Sequence, residues 1–98
     1  VSDYVQRVAE DRRLAILLLL AEAPGGRSNE ALLQAALPIY GHDPSLDTVR
    51  SDLAWLAEQG LVATEEPAGL VVARVTARGE DAAAGRARVP GVKRPVRL

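Results

Sequence analysis

A chain of 98 residues, 48% apolar and 26% charged, is one domain's worth of sequence; it buries about 65% of its unfolded surface, enough for a single modest core. The absence of cysteine excludes disulfide scaffolds and thiolate metal sites and makes a reducing cytoplasm the expected location. The net charge of −1 hides an asymmetry: residues 1–85 hold all 13 acids against seven arginines, a net −6, whereas residues 86–98 carry Arg86, Arg88, Lys93, Arg94 and Arg97 without an acid, a net +5.

The first element is a helix from about Asp3 to Ala23, because Val5, Val8, Ile16 and Leu19 follow helical spacing and the PGG at 24–26 supplies a stop. Its second half, LAILLLLA at 14–21, is apolar nearly all round, which marks the centre of the core. Eight residues fall well short of the roughly 20 that a membrane helix needs, and Asp11, Arg12 and Arg13 precede them rather than a signal-peptide pattern. A soluble protein without a membrane partner is therefore expected.

Ser28 is the expected cap of a second helix, with Leu32, Leu33, Ala36 and Leu37 as its buried stripe. Pro38 lacks an amide donor and kinks or ends that helix, and Gly41 is a second stop. The third helix lies in SLDTVRSDLAWLAEQGLV, residues 45–62, where Leu46, Val49, Leu53 and Leu56 recur at intervals of three and four. Its cap is either Asp43, followed by Pro44, or Ser45, and Gly60 ends it.

Leu61–Glu65 then reads as a strand, PAG at 67–69 as a turn, and Leu70–Thr76 as a second strand with Val71, Ala73 and Val75 on one face. Thr76 is a candidate cap for a short fourth helix over about 77–85, whose small residues give it no strong grip on a partner. The domain is thus expected to span 1–85. Residues 86–98, with two prolines and no apolar period, are expected to form a basic extended arm, mobile unless it docks.

Ser45, Thr48, Val49, Leu53, Leu56, Gly60, Leu61 and Val62 form a pattern that resembles the recognition helix and first wing strand of ArsR-like and MarR-like regulators, and VTARGEDAA at 75–83 is similar to the segment after their second wing strand. More narrowly, DLAWLAEQGLV with ARGEDAAAGRARVPGVKRP resembles small winged-helix proteins of Mu-like phages and prophages, over nearly the whole chain. The resemblance implies a winged helix-turn-helix fold, mainly α with a β-hairpin wing, and a DNA-binding, transcription-regulating role. Metal sensing, which it implies for some ArsR-like members, requires thiols this chain lacks, so no cofactor or metal is expected.

On a wheel of 100° per residue, Asp47, Ser51, Ala54 and Glu58 oppose Val49, flanked by Arg50, Thr48 and Trp55. Ser45, Asp47, Thr48, Arg50 and Ser51 are therefore the candidates to face a DNA groove, and only Arg50 has the donor fork that suits guanine. Asp47 and Asp52 set like charge against phosphate unless Arg50 or a neighbour neutralises them. Asp47 is better explained by the positive end of the helix dipole, a gain of roughly 0.3–1 kcal/mol. Glu65 and Glu66 make the wing tip acidic, so the arm's Arg86, Arg88, Lys93, Arg94 and Arg97 are the obvious phosphate ligands. Were all five to displace counterions, log K would fall against log salt with a slope of about −4 to −5. The competing role for the arm is contact with an acidic partner or with the protein's own acidic body.

Trp55 lies well off the core stripe, so it either packs half-buried against helix two or the arm, or forms an interface with a partner or a second copy. Tyr4 and Tyr40 read as packing residues, since single-strand binding needs aromatics interleaved with cations along a groove. Catalysis is not expected: His42 is the only histidine and sits in a turn, the adjacent acid pairs do not face each other on a helix, and no glycine-rich phosphate loop is present. Two readings remain. One is a regulator that binds double-stranded DNA, as a monomer or homodimer; the other is an interaction module that binds protein alone.

Overall fold

The structure, a computed structural model, describes residues 2–96. Helix α1, Asp3–Glu22, is opened by Ser2, whose hydroxyl accepts from the Val5 amide. Its first half is largely exposed, whereas Leu14–Leu17 and Leu20 are buried, as the apolar run requires. Val5, placed by spacing on the apolar side, is 56% exposed because α1 projects beyond the elements that cover its second half.

Strand β1, Arg27–Asn29, follows the PGG turn and pairs antiparallel with β3, Val72–Val75. This strand replaces the expected cap at Ser28. Asn29 caps α2, Glu30–Ala36, by accepting from the Leu32 amide. Leu33 and Leu37 are buried as the stripe required, but Leu32 is 61% exposed, because the register set by Asn29 turns it outward. At Pro38 the helix tightens into a 3₁₀ turn, Leu37–Tyr40, which Gly41 ends in left-handed geometry.

Helix α3, Leu46–Glu58, is capped by Ser45, which settles the choice against Asp43. Val49, Leu53 and Leu56 are fully buried, while Leu46 is 37% exposed, being in the first turn, where neighbours cover one side only. Gly60 closes the helix at φ +74°, with its amide bonded to the Ala57 carbonyl and that of Leu61 to the Leu56 carbonyl. The chain then enters β2, Val62–Glu65, crosses the Pro67–Gly69 turn, and returns as β3.

The three strands form an antiparallel sheet in the order β1-β3-β2. One face, through Val62, Ala73 and Val75, closes over Ile16, Leu17, Leu20, Leu33, Leu53 and Leu56 to make the core. Each such large aliphatic side chain contributes about 1.5–3 kcal/mol. Helix α4, Ala77–Ala84, starts on the Thr76 hydroxyl, which accepts from the Gly79 amide and donates to the Gly60 carbonyl. Its small residues, expected to weaken its hold, instead permit close approach: a Cβ on Gly79 would collide with the Leu61 carbonyl, and Ala82 and Ala83 are buried against α1. The described residues are mainly helical, with four α-helices and one small sheet.

Candidate nucleic-acid interface

The outward side of α3 carries Asp47, Ser51, Ala54 and Glu58, all exposed. Ser45, which is exposed, and Thr48 are bonded to each other: the Ser45 hydroxyl accepts from the Thr48 amide at 3.1 Å and lies 3.0 Å from the Thr48 hydroxyl. Asp52 is neutralised, by arginines of α1 and not by Arg50. It is 4% exposed and paired with Arg12 and Arg13 of α1, because α1 supplies two cations where the wheel shows only the margin of the apolar stripe.

Arg50 is engaged on three acceptors. Its Nε and Nη2 donate to the two carboxylate oxygens of Glu30 at 2.5 and 3.0 Å, and Nη2 also donates to the Gly69 carbonyl at 2.9 Å. Glu30, at the start of α2, is 1% exposed and further accepts the Val71 amide at 2.7 Å. The Arg50 bond and the Val71 amide hold its carboxyl below the usual carboxylate range against the opposing effect of burial. On the sheet, Glu65 is paired with Arg27 at 3.0 Å, whereas Arg74, exposed between them on β3, has no acceptor among the described residues.

The arm is docked over residues 86–93. The amides of Arg86 and Ala87 bond to the Asp81 carbonyl and the Arg86 guanidinium to the Asp81 carboxylate, so the chain turns back immediately after α4. Val89 is buried in the core. The Lys93 amide donates to the Glu10 carbonyl and its ammonium to Asp11 at 3.1 Å, while His42 Nε2 lies 2.6 Å from the other Asp11 oxygen. Burial acts to raise the Asp11 carboxyl, but bonds from His42 and Lys93 prevail and hold it below the ordinary range. Arg86 and Lys93 are thus spent on the protein's own acids. Arg88 and Arg94 are exposed with no acceptor among the described residues, and Arg97 lies outside the described residues.

Trp55 is half-buried beneath two other segments. The Arg13 guanidinium lies over its ring at 4.2 Å from the centroid and donates to the Gly91 carbonyl at 2.9 Å. Gly91 meets the ring edge so closely that a Cβ would fall 2.6 Å from Cζ2.

These contacts separate the candidates. Asp47 and Ser51 share an open face; Ser45 and Thr48 line its edge with Arg12 and His42; Arg50 joins that face to the turn of the β2–β3 hairpin; the arm's cations lie along α1 and α4. Glu30, Asp11 and Arg13 escaped the sequence reading, since each acts through a partner at least 20 residues away. No described helix is long and apolar enough to cross a membrane, and no group of three or more acids or histidines among the described residues is placed to hold a metal ion.

Over 88 residues the chain is 51% identical to the uncharacterized protein gp26 of Escherichia phage Mu, covering 90% of this chain and 91% of that protein. It belongs to the gp26 family. An uncharacterized protein of Haemophilus influenzae is 42% identical over 76 residues, 76% of this chain and 74% of its own length. No protein-family model matches the chain, and no solved structure does.

Proposed function

We propose that this member of the gp26 family is a winged-helix domain that binds double-stranded DNA in a regulatory role in the host cytoplasm. The observation that carries the reading is the Arg50–Gly69 bond, which brings the turn of the β2–β3 hairpin beside the first turns of α3. Helix and hairpin turn then share one surface, the arrangement in which a helix can lie in the major groove while a wing rests on the backbone. The order of elements, with the sheet arranged β1-β3-β2 and α3 directly before the hairpin, supports the same reading.

A second reading, a module that binds protein alone, is favoured by the acids on that surface. Asp47, Glu58 and Glu66 are exposed there, and the charge of Arg50 is largely balanced by Glu30. Removing the arm is a poor test, because Val89 and Gly91 belong to the packed structure. The test is duplex binding at low salt, followed by fluorescence anisotropy, for the intact chain and for the Arg88→Ala/Arg94→Ala variant, with light scattering to establish whether one copy or two bind. Salt-dependent binding weakened in the variant supports the DNA reading. No binding to any duplex leaves the protein-interaction reading.

A further inference from the structure

Arg50 is the one side chain on the α3 surface with the donor fork for reading guanine, yet its fork is occupied. A guanidinium has five N–H groups. Nε uses its one on Glu30, and Nη2 uses its two on Glu30 and the Gly69 carbonyl. Nη1 retains both of its own. The side-on grip of an arginine fork on guanine O6 and N7 uses two adjacent nitrogens, so the docked Arg50 has no fork left and presents Nη1 alone, end-on.

Glu30 has an unusual place in the sheet. Its amide donates to the Val71 carbonyl at 2.9 Å, extending the β1–β3 ladder by one step. Its carboxylate accepts the Val71 amide at 2.7 Å, taking the part of the strand acceptor that α2 has carried away. One buried carboxylate therefore binds the base of the hairpin on one side and Arg50 on the other, and Arg50 reaches the hairpin turn at Gly69.

We propose that Glu30 is a positioning residue: it locks Arg50 as the anchor of the hairpin turn and leaves only Nη1 free, so that Arg50 meets DNA end-on at a phosphate rather than side-on through the fork that reads guanine. The phosphate contact rests on the duplex-binding reading; the anchoring does not. Sequence preference, where it exists, then falls to Asp47 and Ser51.

The test compares the intact chain with Glu30→Gln, which keeps the side-chain shape, and Arg50→Lys, which keeps the charge but loses the fork. Amide hydrogen exchange by NMR reads the anchor. In both variants Val71 and Leu70 exchange about tenfold faster, because Glu30→Gln takes the charge from the acceptor of the Val71 amide and Arg50→Lys releases both that carboxylate and the Gly69 carbonyl of the turn, with Ile16 and Ala73 unchanged. The double variant exchanges no faster than the single ones, because both break one node. Equal Val71 exchange in all the proteins overturns the anchor. Binding to duplexes that differ at single guanines reads the contact. Arg50→Ala weakens all of them alike, and a loss confined to duplexes holding one particular guanine overturns the phosphate role. If Val71 responds but no duplex binds, the anchor stands and the DNA reading falls.

Discussion

Gly91 lies edge-on to Trp55, with two ring atoms 2.6 and 2.7 Å from the place a Cβ would occupy. It does so at φ +94°, a conformation that glycine adopts at little cost and other residues do not. Gly91→Ala therefore introduces both strain and a collision, and we expect a loss of about 2–4 kcal/mol in urea unfolding followed by circular dichroism. A change within experimental error would mean that residue 91 is not seated on the ring.

Asp52 supplies the counter-charge for two guanidinium groups that are themselves 16% and 20% exposed. Asp52→Ala should cost about 3 kcal/mol, because it strands Arg12 and Arg13 in a partly dry site. Were Asp52 an exposed acid that repels DNA, the same change would leave stability alone and tighten duplex binding. Denaturation and anisotropy on one preparation separate these outcomes.

Asp11 and Glu30 both hold their protons less tightly in the folded chain than an ordinary carboxyl does. As pH falls, the unfolded chain takes up these protons first, so the stabilisation they give is full above about pH 5 and disappears as pH drops through their depressed values. Asp11→Asn should lower the unfolding midpoint at pH 7, and its deficit relative to the intact chain should close towards pH 3. A deficit that stays constant over that range would show that Asp11 gains nothing from His42 and Lys93.

Arg88 and Arg94 are free to meet phosphate without giving anything up, whereas Lys93 must leave Asp11. Removing both arginines should reduce the salt slope of duplex binding by roughly 1.5–2 units and leave thermal stability unchanged. Lys93→Ala should lower stability as well. Identical slopes for the intact chain and the double variant would take these arginines out of the interface.

The helices, the hairpin and most of the core were legible because their signals are local: apolar spacing, a cap, a glycine stop. Strand β1 was not, since Arg-Ser-Asn has none of the branched or aromatic residues that mark strands and is extended only because β3 presents an edge to it. Asp52 shows the limit of a helical wheel, which places a residue at the border of a stripe but cannot supply the arginines of another helix. Arg50 was legible as an exposed cation but not as a committed one, since Glu30 lies 20 residues away. The arm has the composition of a disordered segment, and its docking depends on Val89, Gly91 and Lys93 finding sites on α1, α3 and the core.

Trp55 is the only tryptophan in the chain, and the Arg13 cation and Gly91 both sit on it. Its emission therefore belongs to a single environment, one wall of which is the arm. Lifting the arm replaces that wall with water, so the intrinsic fluorescence is a label-free gauge of arm seating that any added nucleic acid or protein can be titrated against.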